Sequence, residues 1–402
     1  MSNQNNNTKP LGVWLIGARG AISTCVAYGL AGLVEGLLEP TGLVTENEPF
    51  SALPLVPYED IVLGGHDVCT RSLTTSASEL VRTGVLPASL VEGASSRAAA
   101  FDAQIVPGLL DGPDVGFADL HPGTAELCSA APLEQIKRLK EDLANFREEN
   151  DCRSVVVINL ASTEAYREVR SEWETLAALE AAFESGVEQP SSIIYAYAAL
   201  SAGCPYVNFT PSRGSSIPAL REFAEKEGLP HCGSDGKTGE TLMKTVLAPM
   251  FKARALKVLS WQGYNMLGNR DGEILNEASH RQGKLENKDE ALRSILDDPE
   301  MHSHVAIDFV PSLSDWKTAW DFVHFEGFLG AKMSLQFTWS GSDSALAAPL
   351  VIDLARLTAL SHERGEGGVM KHVACFFKAP LSSGTHDFHA QFESLVRYAR
   401  KR

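Results

Sequence analysis

The sequence predicts an α/β chain, doubly wound at its N-terminal end, with a mainly β segment set between helical stretches. Three observations predict this. Residues 11–17, LGVWLIG, form a short apolar run that closes on glycine, the pattern of a buried parallel strand. The stretch from Ala21 to Leu38 then reads as helix, and strand and helix patterns alternate up to about residue 245. From about Met250 to Ser340 the texture changes to strand-like runs with few long helices between them.

The elements follow in order. DIVLGGHD, residues 60–67, is the second strand candidate. APLEQIKRLKEDLANFREEN, residues 131–150, is a charged helix leading into the buried-strand pattern SVVVINLAS at 154–162. A helix is expected through TEAYREVRSEWETLAALEAAFES, then further αβ units at SIIYAYAALSAG and CPYVNFTP. The β-rich segment holds LKVLSWQGYNML, VAIDFVPS and AKMSLQFTWSG. Helix returns at residues 344–365 and again at 385–402.

At roughly 100–200 residues per domain, 402 residues suggest two or three domains with ample core. The 51 acidic against 35 basic side chains give a formal charge of −16, which disfavours nucleic acid and anionic lipid as partners. A local lysine cluster can still serve a small phosphate. The seven cysteines form no CxxC pair, so a reduced, cytoplasmic protein without a zinc site is expected. The polar start MSNQNNNTKP lacks the apolar core of a signal peptide and reads as a disordered tail over residues 1–10. No run approaches the ~18 apolar residues that span a membrane.

The turn after the first strand carries the first functional signal. Gly17, Ala18, Arg19, Gly20, Ala21 and Ile22 form a degenerate dinucleotide-binding turn, in which Gly20 permits close backbone approach and the helix start offers free N–H groups to a pyrophosphate. A tight strand-to-helix turn is the plain alternative. Asp67 ends the second strand, where an acid would hold the adenine ribose; a turn or helix-cap aspartate would look the same.

Later stretches go beyond fold punctuation: GSDGKTGETLMK (233–244), YNMLGNRDG (264–272), KLENK (284–288), GAKMSL (330–335), LAAPLVIDL (346–354) and FKAPL (377–381). With LGGHD (63–67) and AYAALSAGCPYVNFTPS (196–212), their order and spacing resemble the myo-inositol-phosphate synthase family from about residue 11 to 382. The resemblance implies a Rossmann-like domain of residues 11–245 completed by 345–402. It also implies an inserted, mainly β catalytic and oligomerisation domain, 246–344. It implies NAD as cofactor, a sugar phosphate as substrate and a homotetramer. NAD is preferred to NADP on the resemblance alone, since Arg19 and Arg71 could in principle meet a 2′-phosphate.

The implied chemistry is a redox-neutral cyclisation of glucose 6-phosphate: oxidation at C5, enolisation at C6, aldol closure on C1 and reduction at C5. Such a cycle needs cations for phosphate, enolate and alkoxide, and groups that exchange protons. By resemblance Lys284, Lys288, Lys332 and Lys378 supply them, with Asp353 beside them. Lys284 and Lys288 lie four apart, on one face of any helical segment. Lys332 sits in an apolar strand pattern, where a strand-edge lysine with its head in water is the alternative. Asp353 sits in an apolar helix, where a structural pair with Arg356 is the alternative. Asn265, Leu267, Asn269 and Asp271, with Thr238 and Gly239, are the implied sugar contacts. Asp235, Ala161, Ser162 and Thr163 join the cofactor set. No metal ligand cluster is visible.

Three departures from the family pattern stand out: Arg19 and Ser23 in the glycine turn, His66 in place of tryptophan, and Arg270 in place of a second asparagine. A conventional NAD-linked sugar-phosphate dehydrogenase and a non-catalytic NAD-binding regulator are the competing readings.

Overall fold

Two sheets organise the chain. The computed structural model describes residues 9–111, 119–268, 292–298, 300–382 and 384–401. The first sheet has seven parallel strands: β1 Leu11–Ile16, β2 Ile61–Asp67, β3 Ile105–Pro107, β4 Ser154–Asn159, β5 Tyr206–Asn208, β6 Pro230–Gly233 and β11 Gly368–Val369. Their order is β11-β6-β5-β4-β1-β2-β3. This is the 3-2-1-4-5-6 order of a dinucleotide-binding sheet with one strand added at the edge. β1 is buried along its whole length, as expected for a strand covered by helices on both faces.

The second sheet has four strands: β7 Lys257–Leu267, β8 His302–Phe309, β9 Trp316–Glu326 and β10 Lys332–Ser342, in the order β10-β9-β7-β8. β9 pairs antiparallel with both β7 and β10, and β8 runs parallel to β7. Phe251, Val258, Trp261 and Val323 build a core between this sheet and the helix Glu240–Ala253. The opposite face carries the half-exposed Tyr264 and Trp320, 5.7 Å apart between ring centroids.

The C-terminal stretch returns to the first sheet. The helix Asp343–Glu363 packs on the helix Ala21–Val34 and on β4, β5 and β6, and β11 extends the sheet beside β6. Val351–Ser361 are buried on every side. By length and composition this helix could cross a membrane, contrary to the expectation that no run approaches that length. Burial all round marks it here as the central helix of a core.

One expected element is different. Residues 163–170 are not helical; the segment gives a short 3-10 turn, Ser171–Trp173, and then the helix Leu176–Glu184. Its charged side chains are tied to neighbouring elements. The Glu164 carboxylate accepts from the Ser191 and Ser192 hydroxyls and from Ser192 N–H, and Arg167 pairs with Asp111 at 2.8 Å. These tertiary contacts outweigh the local helix preference.

Candidate active site

The glycine turn lies at the point where strand order reverses, between β1 and β4. Gly17 has φ +84, and a Cβ there would stand 3.1 Å from the Ala161 backbone. Gly17 and Ala18 both donate to the His66 carbonyl, at 2.9 and 3.0 Å, which locks the turn to the end of β2. Gly20 caps the helix that begins at Ala21, Ile22; no side chain caps it, and no acid sits in its first turn. Its N–H groups and dipole therefore face outward as an anion site. Ser23 fills the place of a glycine by donating to the Gly17 carbonyl at 2.8 Å.

Asp67, mostly buried, accepts from Arg19 N–H at 2.7 Å and Cys69 N–H at 2.9 Å. His66, beside it, is buried against Trp14. Its Nδ1 accepts from Trp14 Nε1 at 2.8 Å and its Nε2 faces Asp142 at 3.1 Å. Trp donates only, so the ring carries its proton on Nε2. Burial lowers its pKa, which the Asp142 carboxylate opposes. Ala161 is held by the Asn159 amide oxygen, and Ser162 and Thr163 continue along the same edge of the sheet.

At the far end of that edge stands a second group. Five adjacent strands, β2 to β6 through β1, β4 and β5, span roughly 19 Å at ~4.8 Å per strand. Past β6, Asp235 adopts φ +62 and accepts from Lys378 Nζ at 2.9 Å. Burial pulls the Lys378 pKa down, but Asp235, with Asp343 and Glu240 further off, holds it above its ordinary value, so Lys378 is an ammonium. Three residues on, Thr238 donates to Asp343 Oδ1 at 3.0 Å, and Asp343 Oδ2 pairs with Lys317 Nζ at 3.6 Å. Gly239 then opens the helix Glu240–Ala253; a Cβ on it would meet the Trp339 indole at 3.1 Å.

The register of β7 and β9 explains what faces this point. Gly263 opposes Asp321, Asn265 opposes Ala319, and Leu267 opposes Lys317, so all six share one face. That face looks onto Glu240 and Lys244, whose charges meet at 2.6 Å, with Asp321 3.7 Å from Lys244. Trp261 Nε1 donates to Asp321 at 2.7 Å. The Asn265 amide is buried, and neither its oxygen nor its nitrogen finds a hydrogen-bond partner among the described residues. A buried, unsatisfied amide is costly, and a polyhydroxyl ligand would satisfy it.

Two expected residues stand elsewhere. Lys332 is exposed at the start of β10, opposite Glu326, while the cluster lies beyond the other end of that strand. Ten steps along a strand are about 33 Å, so Lys332 does not converge with Lys378. Asp353 is fully buried but accepts from Val44 N–H at 2.7 Å and from the Thr45 hydroxyl at 2.5 Å. Thr45 in turn accepts from Arg356, which also meets Glu46 at 3.0 Å. Burial raises the Asp353 carboxyl to about 6 against these hydrogen bonds. It is a core network in which Thr45 bridges Asp353 and Arg356. Lys284, Lys288, Asn269, Asp271 and Arg270 lie outside the described residues.

The residues that sequence reasoning missed are Lys317 and Asp343. Lys317 is mostly buried, in a strand that the apolar runs did not reveal. The strand buries residues 317, 319, 321 and 323 while Trp320 is exposed, so alternation of apolar residues in the sequence points to the opposite face and gave no signal for Lys317. A further buried lysine, Lys237, points away from the cluster to Gln391 of the C-terminal helix, at 2.9 Å; burial and the Lys378 charge bring it down to about 8. No group of three or more His, Cys, Asp or Glu gathers around a metal-sized site among the described residues.

Comparison with known proteins decides the family. The family model for myo-inositol-1-phosphate synthase, which bears the name of an NAD-binding domain, matches residues 11–400. The chain belongs to this family. An inositol-3-phosphate synthase from Bacteroides thetaiotaomicron is 33% identical over 411 residues, covering 96% of this chain and 92% of the relative. One from Oryza sativa subsp. japonica is 30% identical, covering 87% and 74%. The crystal structure of inositol-3-phosphate synthase from Caenorhabditis elegans superimposes with a TM-score of 0.85 at 23% identity, over 97% of this chain and 85% of that one. At that identity the match speaks for the fold. The span matched by the myo-inositol-1-phosphate synthase model contains both the seven-stranded sheet and the lysine–carboxylate pairs at its edge.

Proposed function

We propose that this chain is an NAD-dependent inositol-3-phosphate synthase that cyclises D-glucose 6-phosphate to an inositol monophosphate without net redox change. The observation that carries the reading is the pair of lysine–carboxylate contacts, Lys378–Asp235 and Lys317–Asp343, set around one loop at the edge of the cofactor sheet. A simple dehydrogenase would need fewer such groups.

The chain's residues fit the dinucleotide. The cradle at Gly17 would be filled by a Cβ, the helix start at Ala21 is uncapped, and Asp67 ends β2. These residues would hold NAD, which supplies a hydride acceptor at C5 and returns the hydride there.

Lys378, kept charged by Asp235, donates to oxygen where negative charge develops. Lys317 has a longer contact to Asp343, which leaves its ammonium free to turn toward a substrate oxygen and to exchange a proton there. Thr238 fixes the Asp343 carboxylate. Asn265 offers donors and an acceptor to sugar hydroxyls. Lys284 and Lys288 take the phosphate and share the enolate charge in this reading.

The test is incubation of the protein with glucose 6-phosphate and NAD, with the product identified by NMR and NADH followed by absorbance. The expected result is inositol monophosphate with no accumulated NADH. NADH rising in step with a released keto sugar phosphate would overturn the reading in favour of a dehydrogenase.

A further inference from the structure

Arg19 is the residue in the glycine turn least expected from the family pattern, and both its backbone and its side chain are engaged. Its N–H donates to Asp67 Oδ2 at 2.7 Å, and its carbonyl accepts from the Ser76 hydroxyl at 2.9 Å. Its Nε donates to Asp102 Oδ1 at 3.1 Å and its Nη1 to the Cys69 carbonyl at 3.0 Å. Asp102 ends the helix Ser95–Asp102, so the guanidinium is pinned between that helix and the end of β2. The other arginine near this edge, Arg71, is turned to Glu79 at 2.8 Å.

The charges of the pinned group decide what it can accept. Asp67 and Asp102 carry two negative charges and Arg19 one positive, so the trio is net negative. The two N–H bonds to Asp67 use one acceptor site on each oxygen and leave about two more for hydroxyl donors. A ribose diol supplies two such donors. A ribose 2′-phosphate supplies no donor and brings about two negative charges against a carboxylate. Left alone, Arg19 would be a ready phosphate ligand, since guanidinium matches phosphate oxygens in geometry and charge. Asp102 and the Cys69 carbonyl occupy two of its five donors, and the Asp102 carboxylate offsets its charge.

We propose that the Asp102–Arg19–Asp67 contacts are this chain's device for taking NAD and refusing NADP, with Asp102 as a specificity-determining residue that keeps Arg19 from serving a 2′-phosphate. The inference rests on the reading that the glycine turn binds NAD. In that device Asp67 reads the diol and Asp102 disarms the Arg19 guanidinium beside it, while Arg71 is turned to Glu79.

The experiment is calorimetric titration of NAD and of NADP into the full-length wild type and the Asp102→Asn, Asp102→Ser and Asp67→Asn/Asp102→Asn variants, with melting curves for each. The wild type is expected to favour NAD by about 100-fold or more. Either Asp102 variant shifts the ratio of the two dissociation constants toward NADP by about tenfold, and the double variant shifts it further, as removal of a charge near a phosphate dianion requires. Asp102 is partly exposed, so both single variants are expected to fold. A ratio that stays at the wild-type value in both folded Asp102 variants overturns the proposal, as does a wild type that binds the two cofactors equally. A wild type that binds neither cofactor overturns the NAD reading itself, which the first two outcomes leave standing.

Discussion

Replacing Lys317 by methionine tests the candidate site at Asp343 against a site that includes Lys332. The side chain is about nine-tenths buried on the face of β9 that looks onto the loop 233–239, 3.6 Å from Asp343. Methionine keeps most of the stem and removes the charge. Asp343 keeps its contact with Thr238, and its carboxylate is about one-quarter exposed, so the fold should lose no more than a few degrees in Tm. Catalysis should lose far more. A positioned donor in a site of this kind contributes ~10²–10³ in turnover, about 3–4 kcal/mol. Lys332→Met is the control. Lys332 is exposed and about 33 Å from Asp343 along β10, several times the ~8 Å over which salt screens a surface charge. Its loss should change turnover by less than about twofold, in keeping with other surface substitutions. Initial rates of inositol monophosphate formation, with NAD affinity measured in parallel, separate the two. The reasoning is refuted if Lys332→Met is as slow as Lys317→Met, or if Lys317→Met turns over near the wild-type rate.

Two further predictions concern the buried charges. Gly263→Ala would place a Cβ 2.5 Å from Glu240 Oε1 and 3.0 Å from Lys244 Nζ, so the buried pair must part or β7 must shift. Overpacking of this kind costs ~1–3 kcal/mol, and chemical denaturation should show a loss in that range; an unchanged midpoint would mean that the cluster has room to spare. Asp353 has a folded pKa of about 6 against an ordinary 3.8, so between those values the folded chain binds more protons than the unfolded one. Its contribution is therefore most favourable below about pH 4, declines as pH rises to about 6 and is level above. Asp353→Asn should be less stable, because an amide cannot accept from Val44 N–H and Thr45 on both its atoms, and its stability profile should lack that decline. A variant with the wild-type slope between pH 4 and 6 would assign the titration to another group.

Much of the cofactor side was legible because it is written locally. A buried parallel strand, a glycine turn and a helix occupy consecutive residues, and Gly17 must adopt a positive φ that only its own identity announces. Asp67 could be placed because it ends a strand whose apolar run is plain. The catalytic side is written across distance. Lys317 faces the site because β9 pairs with β7 in one register, and a shift of one residue would turn it to the other face. Lys332 and Asp353 were implied by the family resemblance, and their apolar neighbours made both charges conspicuous. Conspicuous charge in an apolar run has two outcomes, and here both bland ones hold: Lys332 keeps its head in water, and Asp353 is absorbed by Thr45 and the Arg356 network. Nothing local distinguishes these from a ligand-facing charge.

The loop 233–239 is where the two sheets become one site. It leaves β6 of the cofactor sheet, and Lys378 N–H donates to the Asp235 carbonyl while its ammonium takes the Asp235 carboxylate. Three residues later Thr238 takes Asp343, which begins the helix returning from the second sheet to the first. The loop then becomes the helix whose Glu240 and Lys244 are buried against β7 and β9. Each lysine of the cluster is thus anchored by a carboxylate on a different segment, and the loop touches both. A displacement of the second sheet would carry Lys317 and Asn265 with it, while Lys378 would stay with Asp235 on the first. The geometry of the candidate site therefore depends on the packing of β7 and β9 on the helix Glu240–Ala253, and the buried Glu240–Lys244–Asp321 charges beneath Gly263 tie that packing to a single arrangement, since a slip would leave one of them unpaired.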